Sequence, residues 1–397
     1  MTERPPTGRS STPRLLLIGM LPGFGAMHLP RHLHRVGFDL AFAGTQDCMT
    51  SRSGHIGRRM EWRGDFQHSF EPFLHSFEKF QPTRVVPLDE LANLRLQQIG
   101  AGLAKHQNQA LPAQAIDLVQ RSLGDPRGYS RDATRRVYHA IAQQASIAVP
   151  AQRTVSGIAA ILEFAQAHGY PVVLKRELSM GGVGVFILES EAQAARLGTQ
   201  QKVGLGPVTW VVQSHATGQL GMHAVFADEG RVLAQVSAVQ QSRRDSHPTS
   251  PSSVVTLCQH QAMADAAARF VQISKASGFH GWDFQLDASG GAVMIEHNPR
   301  AISITHLGGL VGSDLCGALA SSCGLASAPN RSCLALPSST REVALFPDEW
   351  RRDPRSPKLG DTYHDAPWDD PELLVATLTY RGGFKAGAPA LDKPASA

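Results

Sequence analysis

From Arg14 onward, short apolar runs alternate with amphipathic segments, and this alternation restricts the chain to an α/β architecture. Leu15–Ile18 reads as a strand, His28–Val36 as a helix, and Phe38–Ala43 and Arg84–Pro87 as further strands. Consecutive parallel strands need crossovers, which the intervening helical segments supply, so a small parallel sheet is expected within residues 14–112. At 397 residues the chain exceeds the usual size of one domain.

A second unit begins near residue 113. Arg131–Ala148 is amphipathic and stops at Pro150; Ser156 is placed to cap a helix ending at Ala167, and Pro171–Lys175 follows as a strand. The glycine-rich stretch Ser179–Gly184 leads into the strand Val185–Leu188, and Ser190 to Gln193 has the spacing of a capping box. Trp210–Gln213, Ala224–Phe226 and Val232–Val236 read as antiparallel strands and Ala262–Ser277 as a helix. Trp282–Leu286 and Ala292–Glu296 form a hairpin around Ser289-Gly290-Gly291. Val343–Pro347 reads as a strand, and Asp370-Pro371-Glu372 starts a last helix over about Pro371–Thr377, in a segment to which the sequence assigns no role. Residues 1–13 read as a disordered leader and 385–397 as a similar Ala/Pro tail.

Composition removes several classes of function. With 42% hydrophobic and 18% charged residues the chain is an ordinary globular one. A net charge of +4 is too weak a bias to propose nucleic acid as a partner. No apolar run reaches the roughly 18–20 residues of a membrane span, so no membrane partner is expected. The 17 histidines include no zinc-like cluster such as HExxH. Cys48, Cys258, Cys316, Cys323 and Cys333 form no CxxC, and their odd number argues against a disulfide framework, so a reducing cytoplasm fits best. The turn Gly19–Gly25 has the glycines of a dinucleotide loop, but Ala43-Gly44-Thr45 stands where such a site wants an acid, so a tight turn without cofactor is expected.

Two constellations carry chemistry. In the first, Lys175 ends a buried strand, and an ammonium there wants an anion because unpaired burial is costly. Ser179-Met-Gly-Gly-Val-Gly184 lies beside it, and a glycine-rich turn presents N–H groups suited to phosphate oxygens. The plainer alternative is a hairpin turn with a snorkelling lysine. In the second, Glu296 and Asn298 are two apart on one strand and share a face, and Asp283 can join them across the hairpin. Two carboxylates and an amide oxygen suit Mg²⁺, and Arg300 beyond Pro299 could clamp a phosphoryl group. A surface hairpin with an acid–arginine salt bridge is the alternative here.

Together and in this order, Lys175 with its glycine-rich loop and Asp283-Phe284…Glu296-x-Asn298-x-Arg300 resemble the ATP-grasp superfamily over roughly residues 115–312, with residues 14–112 similar to the domain that usually precedes it. The resemblance implies an α/β protein: a small parallel-sheet N-terminal domain (14–112), an ATP-grasp domain of two α+β subdomains (113–330, lid about 150–212) and a short C-terminal extension (331–384). It implies that Lys175 contacts nucleotide phosphates and that Ser179, Gly181, Gly182 and Gly184 line the phosphate loop. Gln213, Ser214, His215 and Ala216 would receive adenine, Asp283, Glu296 and Asn298 would bind magnesium, and Arg300 would stabilise the transferring group. ATP and two Mg²⁺ ions, for which Mn²⁺ can substitute, are the implied co-substrate and metals. The implied reaction joins a small-molecule carboxylate to an amine or similar nucleophile through an acyl phosphate, releasing ADP, in a monomer or homodimer.

The sequence departs from the family pattern in two places. No lysine stands about sixteen residues before Pro150; Arg135 is nearest that spacing, with Arg131 and Arg136 as rivals. Gln219-Leu220-Gly221 offers no glutamate after the hinge. Two other classes therefore stay open, a non-catalytic ATP-binding homologue and a nicotinamide oxidoreductase built on residues 14–112, the latter lacking its acid. His306 and the Gly23–Met27 turn are further candidates for the substrate pocket, with a structural hydrogen bond equally open for His306; Arg243 and Arg244 are equally suited to phosphate or to solvent.

Overall fold

The computed structural model describes residues 12–63, 69–103, 105–106, 109–129, 134–177, 184–205, 208–325 and 341–380. Its first sheet is parallel and four-stranded, in the spatial order Arg58–Glu61, Asp39–Gly44, Arg14–Gly19, Arg84–Pro87. Leu15 and Leu17 enter one core with Leu29 and Leu33 of the helix Leu29–Arg35, while Leu16 and Ile18 enter another with Phe73, Phe77 and Ala92. Covered on both faces, the strand reads as an unbroken apolar run. Each such fully buried side chain contributes about 1.5–3 kcal/mol.

The two N–H groups at the exit of that strand are taken by Asp89: Met20 donates to Oδ2 at 2.6 Å and Leu21 at 3.1 Å. Asp89 Oδ1 accepts from Ala92 N at 2.9 Å and so caps the helix Glu90–Gly100. The turn that follows the strand is thus held by the protein's own carboxylate. Gly44 lies at φ 146°, and a Cβ there would fall 1.8 Å from Gly19 O, so only glycine lets the two strand ends meet.

A second sheet is antiparallel, in the order Gln152–Val155, Trp210–Ser214, Val172–Arg176, Val185–Leu188. The helices Ile158–His168 and Glu191–Gln200 back it through Ile161, Phe164 and Ala194. Ser190 accepts from Gln193 N at 3.3 Å, and the Gln193 side chain reaches back to Glu189 N at 2.8 Å. The expected cap at Ser156 is corrected: extended Gly157 precedes the helix and no side chain caps it. The amphipathic segment from Arg131 is helical only over Arg135–Gln144, because Ser146 turns the chain at φ 52°; residues 130–133 lie outside the described residues.

The third sheet has seven strands, in the order Ala292–Asn298, Gly278–Leu286, Gln219–Asp228, Arg231–Arg243, Ser252–Cys258, Arg341–Ala344, Tyr363–His364. The helix Gln261–Ser274 packs Met263, Phe270 and Val271 beneath it against Trp282 and Phe284. The segment without an assigned role thus adds edge strands to this sheet. It ends in the helix Pro371–Thr379, capped by Asp370, whose carboxylate also accepts from Gly54 N at 2.9 Å and from the Ser53 hydroxyl. Leu373 of that helix packs with Met27, Met49 and Phe346.

Candidate active site

The hairpin builds the acidic face. Asp283 stands opposite Glu296 and Gly281 opposite Asn298, so both carboxylates and the amide share one side of two paired strands. Gly281 is required by packing, since a Cβ there would lie 2.4 Å from Ile302 Cγ2 in the segment that closes over the strands.

Lys175 arrives from the second sheet. Its Nζ donates to Ile295 O at 3.1 Å, which holds that sheet's central strand against the hairpin. Arg135, the first residue of its helix, donates from Nε to Arg176 O at 2.8 Å and places Nη1 2.8 Å from Glu296 Oε1. Arg300 places Nη2 2.6 Å from Glu90 Oε1 and 3.3 Å from Asn298 Oδ1.

Five charged side chains, Lys175, Arg135, Arg300, Asp283 and Glu296, therefore converge. Burial and then the neighbouring Arg135 lower the Lys175 ammonium to about 8, against the pull of Glu296 and Asp283. Burial and the adjacent Glu296 push Asp283 up to about 7, opposed by Arg300, Lys175 and Arg135. Burial acts to raise Glu296, but Arg135 and Lys175 outweigh it and hold that carboxyl below its ordinary value. Glu296 keeps 30% of its side-chain surface open to the cleft, so water there moderates the burial effect.

These side chains gather at one cleft of about 620 Å³, although Arg135 and Glu90 stand behind its lining and do not border it. Lys175, Gln213, His215, Ala216, Asp283, Glu296, Asn298 and Arg300 border it together. Ser214 and Gly184 do not: Ser214 N donates to Ala151 O at 2.9 Å, and Gly184, at φ 75°, closes the hairpin by accepting from Arg176 N at 2.9 Å. Ser179, Gly181 and Gly182 lie outside the described residues. Gln213 is buried and donates to Gln152 Oε1 at 3.2 Å. Of the Gly23–Met27 turn, Gly23 to Ala26 border the cleft and Met27 does not, packing instead with Met49 and Phe346; Arg243 and Arg244 also border it. His306 does not; it packs behind the cleft wall against His28, with ring centroids 4.4 Å apart.

Sequence reasoning missed Glu90, Asp348 and the grouping of His306 with His28 and Asp365. Glu90 follows a helix-capping aspartate, which reads as a helix start and hides its long-range pairing with Arg300. Asp348 borders the cleft with Oδ1 3.5 Å from Arg244 Nη1. His28 and His32 stand four apart on one helix, a spacing that could have flagged a shared face.

The donor set fits Mg²⁺ by its chemistry: two carboxylates and an amide oxygen border the cleft, and the burial and mutual repulsion that raise Asp283 are what a cation would relieve. Asp283, Glu296 and Asn298 would hold it.

No protein-family model matches the chain. It is 25% identical over 213 residues to the carbamoyl phosphate synthase large chain of Thermus thermophilus, covering 51% of this chain and 20% of that one. It is 27% identical over 217 residues to the arginine-specific large chain of Halalkalibacterium halodurans, covering 52% and 20%. The matched region thus spans about a fifth of the length of these curated relatives. Among solved structures, N5-carboxyaminoimidazole ribonucleotide synthetase (purK) in its ADP complex aligns with a TM-score of 0.56 at 16% identity, over 82% of this chain and 81% of that one. The Aspergillus clavatus carboxyaminoimidazole ribonucleotide synthase complexed with ATP gives 0.59 at 14%, over 83% and 81%. The L-amino acid ligase of Bacillus licheniformis gives 0.57 at 13%, over 83% and 79%. The fold is shared with these solved structures, and the chain is similar to the ATP-grasp superfamily that the residue pattern resembles.

Proposed function

We propose that the chain is an ATP- and Mg²⁺-dependent ligase that joins a carboxylate to an amine or similar nucleophile through an acyl phosphate, releasing ADP and phosphate. One observation carries the reading: a single cleft gathers Lys175 from one sheet and Asp283, Glu296, Asn298 and Arg300 at the edge of another. A triphosphate and a carboxylate repel each other, and a site that seats both must supply cations on several sides. Lys175 and Arg135 bring positive charge from the sheet and helix that cover the hairpin, and Arg300 brings it from the opposite edge. Bound magnesium would add neutralisation of the phosphates. Arg300, fixed by Glu90, would hold the oxyanion that develops when the amine attacks. The large-chain relatives and the ATP- and ADP-bound neighbours support the class of reaction. The two substrates are proposed only as small molecules, and the domain limits 14–112, 113–330 and 331–384 as working boundaries.

The test is phosphorus NMR of the protein with ATP, Mg²⁺ and a pool of amino acids and other carboxylates. ADP with phosphate supports the reading. AMP with pyrophosphate overturns the acyl phosphate, and tight ATP binding with no turnover in any mixture would favour a non-catalytic ATP-binding homologue.

A further inference from the structure

We propose that His28, His306 and Asp365 form a second metal site, separate from the cleft, that takes a zinc-class divalent cation. The three side chains are buried, and one donor atom from each lies within 4.8 Å of the others. His306 Nε2 is 3.1 Å and His28 Nε2 3.5 Å from the same oxygen, Asp365 Oδ2. Donors around a tetrahedral zinc at its usual bond lengths stand about 3.4 Å apart, a value that these two separations bracket.

The hydrogen bonding shows a set that is not satisfied internally. His306 Nε2 makes no hydrogen bond despite its closeness to Asp365, and His28 Nδ1 makes none either. The hydrogen-bond contact of His28 Nε2, Phe346 O at 3.4 Å, is at the outer limit of such bonds. Buried polar nitrogens without partners cost free energy, and here two of the rings converge on one carboxylate oxygen. Asp365 is held in place from outside the set: its Oδ1 accepts from Phe346 N at 2.5 Å, and its backbone carbonyl accepts from Arg31 Nη2 at 3.0 Å. The Arg31 charge is itself paired to Asp369 at 2.8 Å. This is the outer support that metal ligands need. Two imidazoles and one carboxylate select zinc or a similar first-row ion over magnesium, with Phe346 O or water as a fourth ligand.

The ligands come from three places in the fold: the start of the helix Leu29–Arg35, the 3₁₀ turn Thr305–Val311 and the segment after Tyr363–His364. An ion there would clip the C-terminal segment, which carries Asp348 to the cleft, onto the N-terminal unit.

The test uses untagged, chelator-stripped protein in excess Mg²⁺, titrated with Zn²⁺ by calorimetry and with Co²⁺ by visible absorption. One equivalent is expected, with the d–d bands of four-coordinate cobalt and a higher unfolding temperature on zinc addition. His306→Ala and Asp365→Asn should each weaken binding on the order of 100-fold or more, whereas Asp283→Asn should leave it unchanged. If His306→Ala does not fold, His28→Gln, which keeps a polar side chain, serves in its place. A wild-type protein that takes up no zinc overturns the proposal. So does zinc binding that survives the His306 and Asp365 changes, or that is lost on Asp283→Asn.

Discussion

Arg135 Nη1 lies 2.8 Å from Glu296 Oε1, which ties the first turn of a helix to one of the two carboxylates proposed to hold magnesium. Arg135 is the residue nearest the spacing at which the ATP-grasp resemblance calls for a lysine. Its guanidinium is 4% exposed, so its loss would strand a carboxylate beside Asp283. Arg135→Ala should raise the KM for ATP about tenfold or more and cost about 1–3 kcal/mol of stability. Arg135→Lys keeps the charge and should retain most of the affinity, while losing the bond from Nε to Arg176 O. Calorimetric ATP titration and urea unfolding of both variants check this, and an alanine variant that binds ATP like wild type refutes a nucleotide role for Arg135.

Glu296→Gln keeps shape and removes one negative charge from the proposed magnesium face. Loss of a ligand charge should lower turnover by roughly 10²–10⁴. It should also raise the Mg²⁺ concentration needed for half-maximal turnover. Turnover within threefold of wild type would sink the assignment of Glu296 as a metal ligand.

What was legible in the sequence was local. Lys175 at a strand end and the alternation that puts Glu296 and Asn298 on one face are set by the two-residue period of a strand. The Ser289-Gly290-Gly291 turn sets the pairing only as far as Phe284 with Met294; a bulge at Ile295, which the sequence does not signal, then puts Asp283 opposite Glu296. Partners chosen by the tertiary fold were not legible. Arg300 pairs with Glu90 from the first unit, and Arg244 pairs with Asp348 from the last. Neither pair has a spacing signature, because each joins segments brought together only when the sheets pack. The same holds for Asp365 against His28 and His306. Helix ends also shifted where backbone outvoted side chain, as at Gly157, which displaced Ser156 from the cap.

Lys175 tests the other wall of the cleft. Its ammonium is buried and donates to a backbone carbonyl of the hairpin, so it is positioned before any ligand arrives. Lys175→Ala should raise the KM for ATP and lower kcat together, because one charge serves both bound nucleotide and transition state. Lys175→Arg should recover only part of each, since a planar fork does not replace a compact ammonium. Steady-state kinetics in varied ATP separates these outcomes; unchanged ATP kinetics in the alanine variant would reduce Lys175 to a strand-end brace.

Asp348 gives a pH prediction away from the magnesium face. Burial raises its carboxyl from 3.8 to about 6, and Asp365 adds to the rise, while Arg244 and Arg351 oppose it. Between about pH 4 and 6 the folded chain therefore binds this proton more tightly than the unfolded chain does. Stability contributed at this position is then greatest below pH 4 and falls as pH rises through 6, by about 1–3 kcal/mol in all. Asp348→Asn carries no such proton, so its stability relative to wild type should be highest near pH 7 and should shrink steadily toward pH 4. Urea unfolding of the two proteins at pH 7, 6, 5 and 4 measures the difference directly. A difference that stays constant across that range means Asp348 titrates as an ordinary carboxylate, with the Arg244 contact and cleft water together compensating its burial.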